Sequence, residues 1–476
     1  MCQTSNRQAK AQLPAKPKPG EKVTPIRCQA KTHPCPTCGR HGRRKRRLER
    51  YVRTLAYGQV VWLHLFYAEY QARCSCRKFF RSCPQQIEPK ADYDNLVRQA
   101  VLNRILDDGL NVGRTRAAMK RDFLLELSTG FVYDCLQWGA SQLNSSAQRR
   151  FARDHFSGTL CIDELHLGEY TLLLATDPIA DRIVGFLLVR VNDQPHMYCF
   201  LRMLQYWGFD PKVVVTDGSN LYPAVLAKIW PAAKHQLCVF HVLQDVTQKV
   251  LNAVRRLRRQ QSRRGNGGRK RRRGRPSRAQ QARRQRQGPT NKEKAAFVFK
   301  HRFLVVKRRE NLTEREAEQL QKMLEYLPEL RLLCRFCTEV YRLFNAEQLA
   351  RVARRRRTLL ERAGDYQQVP ELEEALGLLK KEKFDQMVVF LERPEGQRVK
   401  TNNHVERANR KLRFDEKVRY KWRSQRSLNR FLCLRLGRLP LLTSKNAPPA
   451  KNESPAKATP FLAAESPAEI VHAGGD

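Results

Sequence analysis

The sequence has no apolar run approaching the ~20 residues that a membrane-spanning helix needs. Its first stretch, Met1 to Lys18, carries basic residues but no apolar segment, which argues against a secretory leader. Acidic residues are scarce beside basic ones: Asp+Glu number 46 against 91 Lys+Arg, for a formal charge of +45. From Arg255 to Arg286 there are sixteen Lys or Arg and no acid at all. No tyrosine or serine nucleophile with a surrounding arginine set is evident, which disfavours the recombinases built on one. What remains is an expected soluble, intracellular binder of a polyanion. Release of phosphate counterions is the use that best fits a charge spread over the whole chain.

At 476 residues with 41% hydrophobic side chains, the chain is long enough for about three domains and a large core. The fourteen cysteines do not read as a disulfide framework. Cys135, Cys161, Cys199 and Cys433 sit in apolar segments and read as small buried residues. Cys35-Pro-Thr-Cys38-Gly39 has the shape of a zinc knuckle, two thiolates flanking a tight turn. Cys74-Ser-Cys76 is the nearest second pair, although its one-residue spacing is tight; Cys28, Cys83, His33 or His41 are alternative ligands. Cys334-x-x-Cys337 lies within a helical pattern and reads as packing.

Periodicity divides the rest. Residues 1–27 and 441–476 are polar and rich in proline, alanine or serine, and are expected to be unstructured. Residues 28–90 would form the zinc-ribbon region. Over 91–150 the pattern is helical, with a break at Asp108-Gly109 and a cap at Ser128-Thr129. Three short helices with a tight turn suit a helix-turn-helix, although a plain three-helix linker explains the same spacing. Residues 151–244 and 384–440 would form the catalytic domain. Strand-like runs Thr159–Asp163, Tyr170–Thr176 and Arg182–Arg190 precede a helix, His196–Trp207. The run Lys212–Asp217, a helix over 220–230 and a strand over 236–240 then give the order βββαβαβ. That order predicts an α/β, ribonuclease-H-like mixed sheet. Residues 245–383 read as a helical insertion carrying the basic linker 255–286, with Arg269, Lys270, Arg271, Arg272 and Arg273 as candidate DNA contacts.

Three acids stand out: Asp163 and Asp217, each ending an apolar run, and Glu406. If the two runs are neighbouring strands, their last side chains converge at one sheet edge. A helical Glu across that edge would complete a set of hard oxygen ligands for Mg²⁺ or Mn²⁺. Two such ions about 3.5–4 Å apart suit phosphodiester chemistry. Each acid also has a plainer reading. Asp at a strand end is ordinary turn chemistry, Asn403 and Glu406 have capping spacing, and Glu164 and Asp177 compete with Asp163.

The local contexts resemble the DDE transposases of bacterial insertion sequences, in particular the ISL3 group. The resemblance is carried by Cys35-Pro-Thr-Cys38-Gly39, Cys161-Ile-Asp-Glu164, Val215-Thr-Asp-Gly-Ser219 with Tyr222, Cys238-Val-Phe-His241 and Asn402-Asn-His-Val-Glu-Arg-Ala-Asn409. It implies a catalytic triad of Asp163, Asp217 and Glu406 that holds two divalent ions. It also implies an N-terminal zinc finger, for which Cys35, Cys38, Cys74 and Cys76 are the candidate ligands with the fourth open, and a helical insertion before the last acid. The implied partner is double-stranded DNA, both element ends and target, bound by at least a homodimer in the bacterial cytoplasm on the nucleoid. Cys238 and His241 resemble a Cys-x-x-His motif that follows the second Asp in several such enzymes. There a ring nitrogen would contact phosphate or hold an acid, and a buried pair ending a strand is the plainer reading. As a zinc site the pair lacks a second pair nearby. Arg407 and Arg410 would approach the same DNA backbone or stay solvated. The rival readings are a zinc-containing DNA-binding regulator without catalysis, and a ribonuclease-H-like nuclease that cuts but never joins.

Overall fold

A computed structural model describes residues 16–56, 59–73, 77–82, 84, 86–88, 90–263, 289–419 and 424–436. Cys74, Cys76 and Cys83, the candidate DNA contacts Arg269–Arg273 and the tail 441–476 lie outside these residues. The described chain forms two units, residues 16–148 with 411–436, and residues 149–410.

The first unit begins with strands β1 (Val23–Cys28), β2 (Thr32–Pro34), β3 (His41–Ala56), β4 (Gln59–Gln71) and β5 (Phe79–Arg81). They form one sheet in the order β1-β4-β3-β2, with β5 also on β4. The strand β1 corrects the expectation that residues up to 27 lack structure: Val23 to Cys28 pair in parallel with Trp62 to Tyr67. The long β3–β4 hairpin brings Val52, Leu65 and Ile87 into one small core. Helices α1 (Asn95–Leu106), α2 (Val112–Phe123) and α3 (Thr129–Ser141) follow. Asp94 caps α1 by accepting from Val97 N, and Ser128 caps α3 by accepting from Phe131 N. Val97, Val101, Ile105, Met119, Val132 and Cys135 meet in their common core. Phe431 and Leu434 join that core from the C-terminal side of the chain. The expected second catalytic segment, 384–440, therefore contributes to both units.

In the second unit, helix α4 (Ser145–Asp154) leads into β6 (Thr159–Leu167), β7 (Tyr170–Asp177) and β8 (Arg182–Val189), an antiparallel meander. Helix α5 (Gln194–Tyr206), β9 (Val213–Thr216), α6 (Pro223–Ile229), β10 (Lys234–Leu237) and α7 (Val239–Arg263) complete the pattern. The sheet order is β10-β9-β6-β7-β8, with β9 parallel to both β6 and β10, which is the ribonuclease-H-like arrangement. All eight residues of β7 are buried, as expected of a strand covered on both faces. Gly185 is needed where α5 crosses β8, because a Cβ there would stand 2.8 Å from Leu204 and 3.0 Å from Trp207. The β6–β7 turn uses Gly168 at φ +64°.

Three sequence expectations shift. The first strand does not stop at Asp163 but runs on to Leu167, since β7 continues to pair with it through Leu167↔Tyr170. The last strand ends at Leu237, and Val239 and Phe240 open a helix instead. Cys199 is exposed, because it lies on the outer side of α5 while Phe200 and Leu201 face the sheet.

Among the described residues, the expected insertion holds α7, α8 (Asn291–Lys300), α9 (Glu314–Tyr326), α10 (Leu330–Leu343), α11 (Ala350–Arg362), α12 (Gly364–Gln367), α13 (Pro370–Gly377) and α14 (Lys381–Met387). Their core includes Val250, Val298, Met323, Phe336, Phe344, Leu372 and Phe384. The first part of the expected basic linker, Arg255–Arg263, is helical as the end of α7, and Arg256 makes a bidentate ion pair with Glu371. Cys334 and Cys337 lie buried in α10, and burial pushes both thiols up, away from the thiolate form. Beyond α14 the chain turns back to the sheet as α15 (Asn403–Arg419), and α16 (Gln425–Leu436) follows.

Candidate active site

The site forms at the carboxyl ends of β9 and β10, beside the middle of β6. In the β6–β9 pairing Thr159 stands opposite Val213, Leu160 opposite Val214 and Cys161 opposite Val215. Continued by two residues, that register sets Asp163 level with Asp217 on the same face of the sheet. Strand β10 is in register with β9 up to Leu237↔Thr216, so Cys238 reaches the same level, and its amide donates to Thr216 O at 2.8 Å. The carboxyl ends of parallel strands are where α/β sheets gather ligand groups, since the pairing stops and the chain turns away.

Asp163, Glu164 and Asp217 have carboxylate oxygens within 4.8 Å of one another. Burial pushes the Asp163 carboxyl up to about 6, and the Asp217 and Glu406 charges act in the same direction. Its Oδ2 accepts from Asn409 Nδ2 at 2.7 Å, which opposes the rise. Burial likewise pushes Glu164 up to about 7, with Asp217 and Asp163 adding to the rise. The fully buried phenol of Tyr222 lies beside Glu164 and opposes the rise of its carboxyl. Asp217 Oδ1 accepts from Ser219 N at 2.9 Å, which shapes the turn out of β9.

The motif Asn402–Asn409 supplies the opposite wall from the start of α15. Asn402, Glu406 and Asn409 are four and three residues apart and share one helical face. Asn402, fully buried, donates from Nδ2 to Ile162 O at 2.7 Å, next to Asp163 on β6. His404 turns the other way and pairs its Nε2 with Asp181 Oδ1 at 2.9 Å. Val405 and Ala408 are buried and seat the helix. The Glu406 carboxylate does not cap its helix: Oε1 lies 3.7 Å from His241 Nε2 and has no hydrogen-bond partner. His241 stands in the first turn of α7, three residues past Cys238, and these two with Glu406 form a second group whose ligand atoms all lie within 4.8 Å. The adjacent Cys238 sulfur raises His241 to about 9 against the effect of burial, and Glu406 and Asp217 contribute in the same direction. The Cys238 sulfur accepts from Asn402 N at 3.2 Å.

Of the acids singled out from the sequence, Asp163 and Asp217 thus share one group, and Glu406 stands in a neighbouring one whose charge reaches Asp163. Asp177 is fully occupied elsewhere, accepting from Ser157 N and Oγ, Ile179 N and Ala180 N. Arg407 folds back to its own helix at Asn403 O, and Arg410 is exposed. The sequence marks Asn402, Asn409 and Tyr222 only as motif positions without a role, and does not single out His235. The half-buried His235 ring is pushed down to about 4 by burial and pairs Nε2 with Thr216 Oγ1 at 2.8 Å. Spacing offered one signal, the Asn-x-x-x-Glu-x-x-Asn face of a helix, which was read only for its Glu.

At the knuckle, Gly39 N donates to Cys35 O at 2.8 Å and Cys35 N to Arg40 O at 2.9 Å, with Gly39 at φ +71°. The Thr37 backbone N–H holds the Cys35 thiol below its ordinary value, which favours a thiolate. Cys35 packs with Ala72 and Phe80.

A family model described as transposase, that of the ISL3-group DDE enzymes, matches residues 160–421, more than half of the chain. No curated protein matches the chain. The matched span takes in Asp163, Asp217, the helical insertion and the whole Asn402–Asn409 motif. This chain therefore belongs to the DDE transposase family of the ISL3 group.

Proposed function

We propose that Asp163, Asp217 and Glu406 are the catalytic acids with which this transposase cuts and rejoins DNA in the presence of Mg²⁺ or Mn²⁺. The observation that carries the reading is the shared register: Asp163 and Asp217 lie 54 positions apart, the same offset as Thr159↔Val213, so the parallel pairing of β6 with β9 brings both acids together just past the end of β9. The donor set suits a hard divalent cation. It is made of carboxylates, and the buried Glu406 Oε1 has no hydrogen-bond partner. Bound there, two such ions would supply activation of the attacking hydroxyl and charge stabilisation at the leaving oxygen.

The protein's own groups fix the geometry. Asn409 aims Asp163, the β9 turn aims Asp217 through Ser219, and α15 carries Glu406 against His241. In the first reaction a water oxygen bonds to phosphorus as the 3′-oxygen leaves with a proton. In the second, the freed 3′-hydroxyl oxygen bonds to a target phosphorus in line, the target strand's own 3′-oxygen leaves with the proton, and no covalent protein–DNA intermediate forms. End recognition falls to the Cys35/Cys38 knuckle, completed by Cys74 and Cys76 around Zn²⁺, and to α1–α3 acting as a helix-turn-helix. Arg269–Arg273 add sequence-independent phosphate contacts, and two ends are held by at least a dimer. Arg407 and Arg410 would approach the DNA backbone from α15.

A strand-transfer assay with pre-cleaved element ends separates the readings. Joined product in Mg²⁺, absent in Asp163→Asn, Asp217→Asn and Glu406→Gln that still bind ends, supports the transposase mechanism. Cutting without joining points to a nuclease, and undiminished function in all three variants to a regulator without catalysis.

A further inference from the structure

We propose that Cys238, His241 and Glu406 form a second metal site, for a borderline-soft ion such as Zn²⁺, beside the all-oxygen site. From the sequence, Cys238-x-x-His241 lacks further ligands. The fold supplies one from 165 positions downstream, because α15 places Glu406 Oε1 3.7 Å from His241 Nε2. One ligand atom from each of the three residues lies within 4.8 Å of the others. Tetrahedral zinc with Zn–S of about 2.3 Å and Zn–N of about 2.0–2.1 Å sets its ligands roughly 3.3–3.8 Å apart, so only a small closure of the side chains is needed. Two atoms of the group, His241 Nδ1 and Glu406 Oε1, are buried without a hydrogen-bond partner.

The surroundings suit a thiolate ligand. Cys238 is buried at the N-terminal end of α7 and its sulfur accepts the Asn402 amide at 3.2 Å, the kind of outer hydrogen bond that steadies metal-bound sulfur. Three protein ligands, one each of sulfur, nitrogen and oxygen, leave a fourth position open. Mg²⁺, which demands oxygen ligands and octahedral geometry, does not suit sulfur, so the two sites differ in the ions they select. Binding releases the Cys238 thiol proton to solvent and occupies Glu406. If Glu406 also serves the Mg²⁺ reaction, as proposed above, zinc would hold the enzyme in an inactive state.

Co²⁺ titration of the full-length protein tests the site without any DNA. Wild type should take up one equivalent more than Cys238→Ser, with a thiolate-to-cobalt charge-transfer band that this variant loses. His241→Ala, changed at a partly exposed position, should weaken the same equivalent by at least about tenfold, the cost already expected for losing an outer-shell partner. Any metal at the Cys35 knuckle is common to all three proteins and cancels. Equal stoichiometry and superimposable spectra for wild type, Cys238→Ser and His241→Ala would overturn the proposal. That outcome would leave the roles of Asp163 and Asp217 untouched, because the readout does not involve DNA cleavage.

Discussion

Asn409 donates from Nδ2 to Oδ2 of Asp163 at 2.7 Å, across 246 positions of chain. The contact ties α15 to β6 and fixes which way the first acid points. It also supplies the hydrogen bond that holds Asp163 below the value its burial alone would give.

Asn409→Ala removes that donor while leaving every acid in place. Expected is a rise of about 10- to 100-fold in the Mg²⁺ concentration needed for half-maximal cleavage, the usual cost of losing an outer-shell partner. A Mg²⁺ titration of cleavage checks this; an unchanged Mg²⁺ requirement would show that the bond is not used.

The metal-free protein should lose stability as pH rises. Asp163 at about 6 and Glu164 at about 7 stand above the roughly 4 of an unfolded chain, so the folded state binds more protons across that interval. Stability contributed by the protonated acids is full below about pH 4 and falls away as pH climbs through 6 to 7. The loss amounts to about 1–3 kcal/mol for Asp163. Melting curves in chelator should show Asp163→Asn gaining stability over wild type near pH 7.5 and not near pH 4, and added Mg²⁺ should raise the wild type alone.

Asn402→Ala leaves Ile162 O, buried under α15, without its donor. An orphaned buried acceptor costs about 1–3 kcal/mol. A lowered melting temperature with weaker cleavage is expected, since the same residue anchors the helix that carries Glu406. Thermal denaturation followed with the cleavage assay tests both at once.

Cys35→Ser should lower the bound zinc by one equivalent and abolish binding to element ends, while a fragment-independent probe of the second unit, its Mg²⁺-dependent melting shift, persists. Elemental analysis with an end-binding assay would show it. Full zinc content in the variant would remove Cys35 from the ligand set.

Much of the second unit was legible because its signals are local. The β-branched run into Asp217 and the βββαβαβ order needed only periodicity and turn chemistry, and the strands followed. The end of β6 was not legible: an acid in mid-strand breaks the apolar run, and only pairing with β7 carries the strand past Asp163. The start of α7 was misread because Val239 and Phe240 are good strand residues that tertiary packing places in a helix. Asn402 and Asn409 escaped because their partners lie 240 and 246 positions away, beyond any window of local spacing. The same holds for Glu406, which meets Cys238 and His241 only once the insertion has folded back.

The central claim, that three distant carboxylates serve one divalent-cation site, is tested most directly by Mn²⁺ binding followed by electron paramagnetic resonance. Wild type should bind Mn²⁺ tightly enough for the free-ion signal to be quenched, and Asp163→Asn, Asp217→Asn and Glu406→Gln should each restore that signal at the same concentrations. Mn²⁺ affinity unchanged in any one of the three would contradict the account for that residue, and unchanged affinity in all three would contradict it entirely.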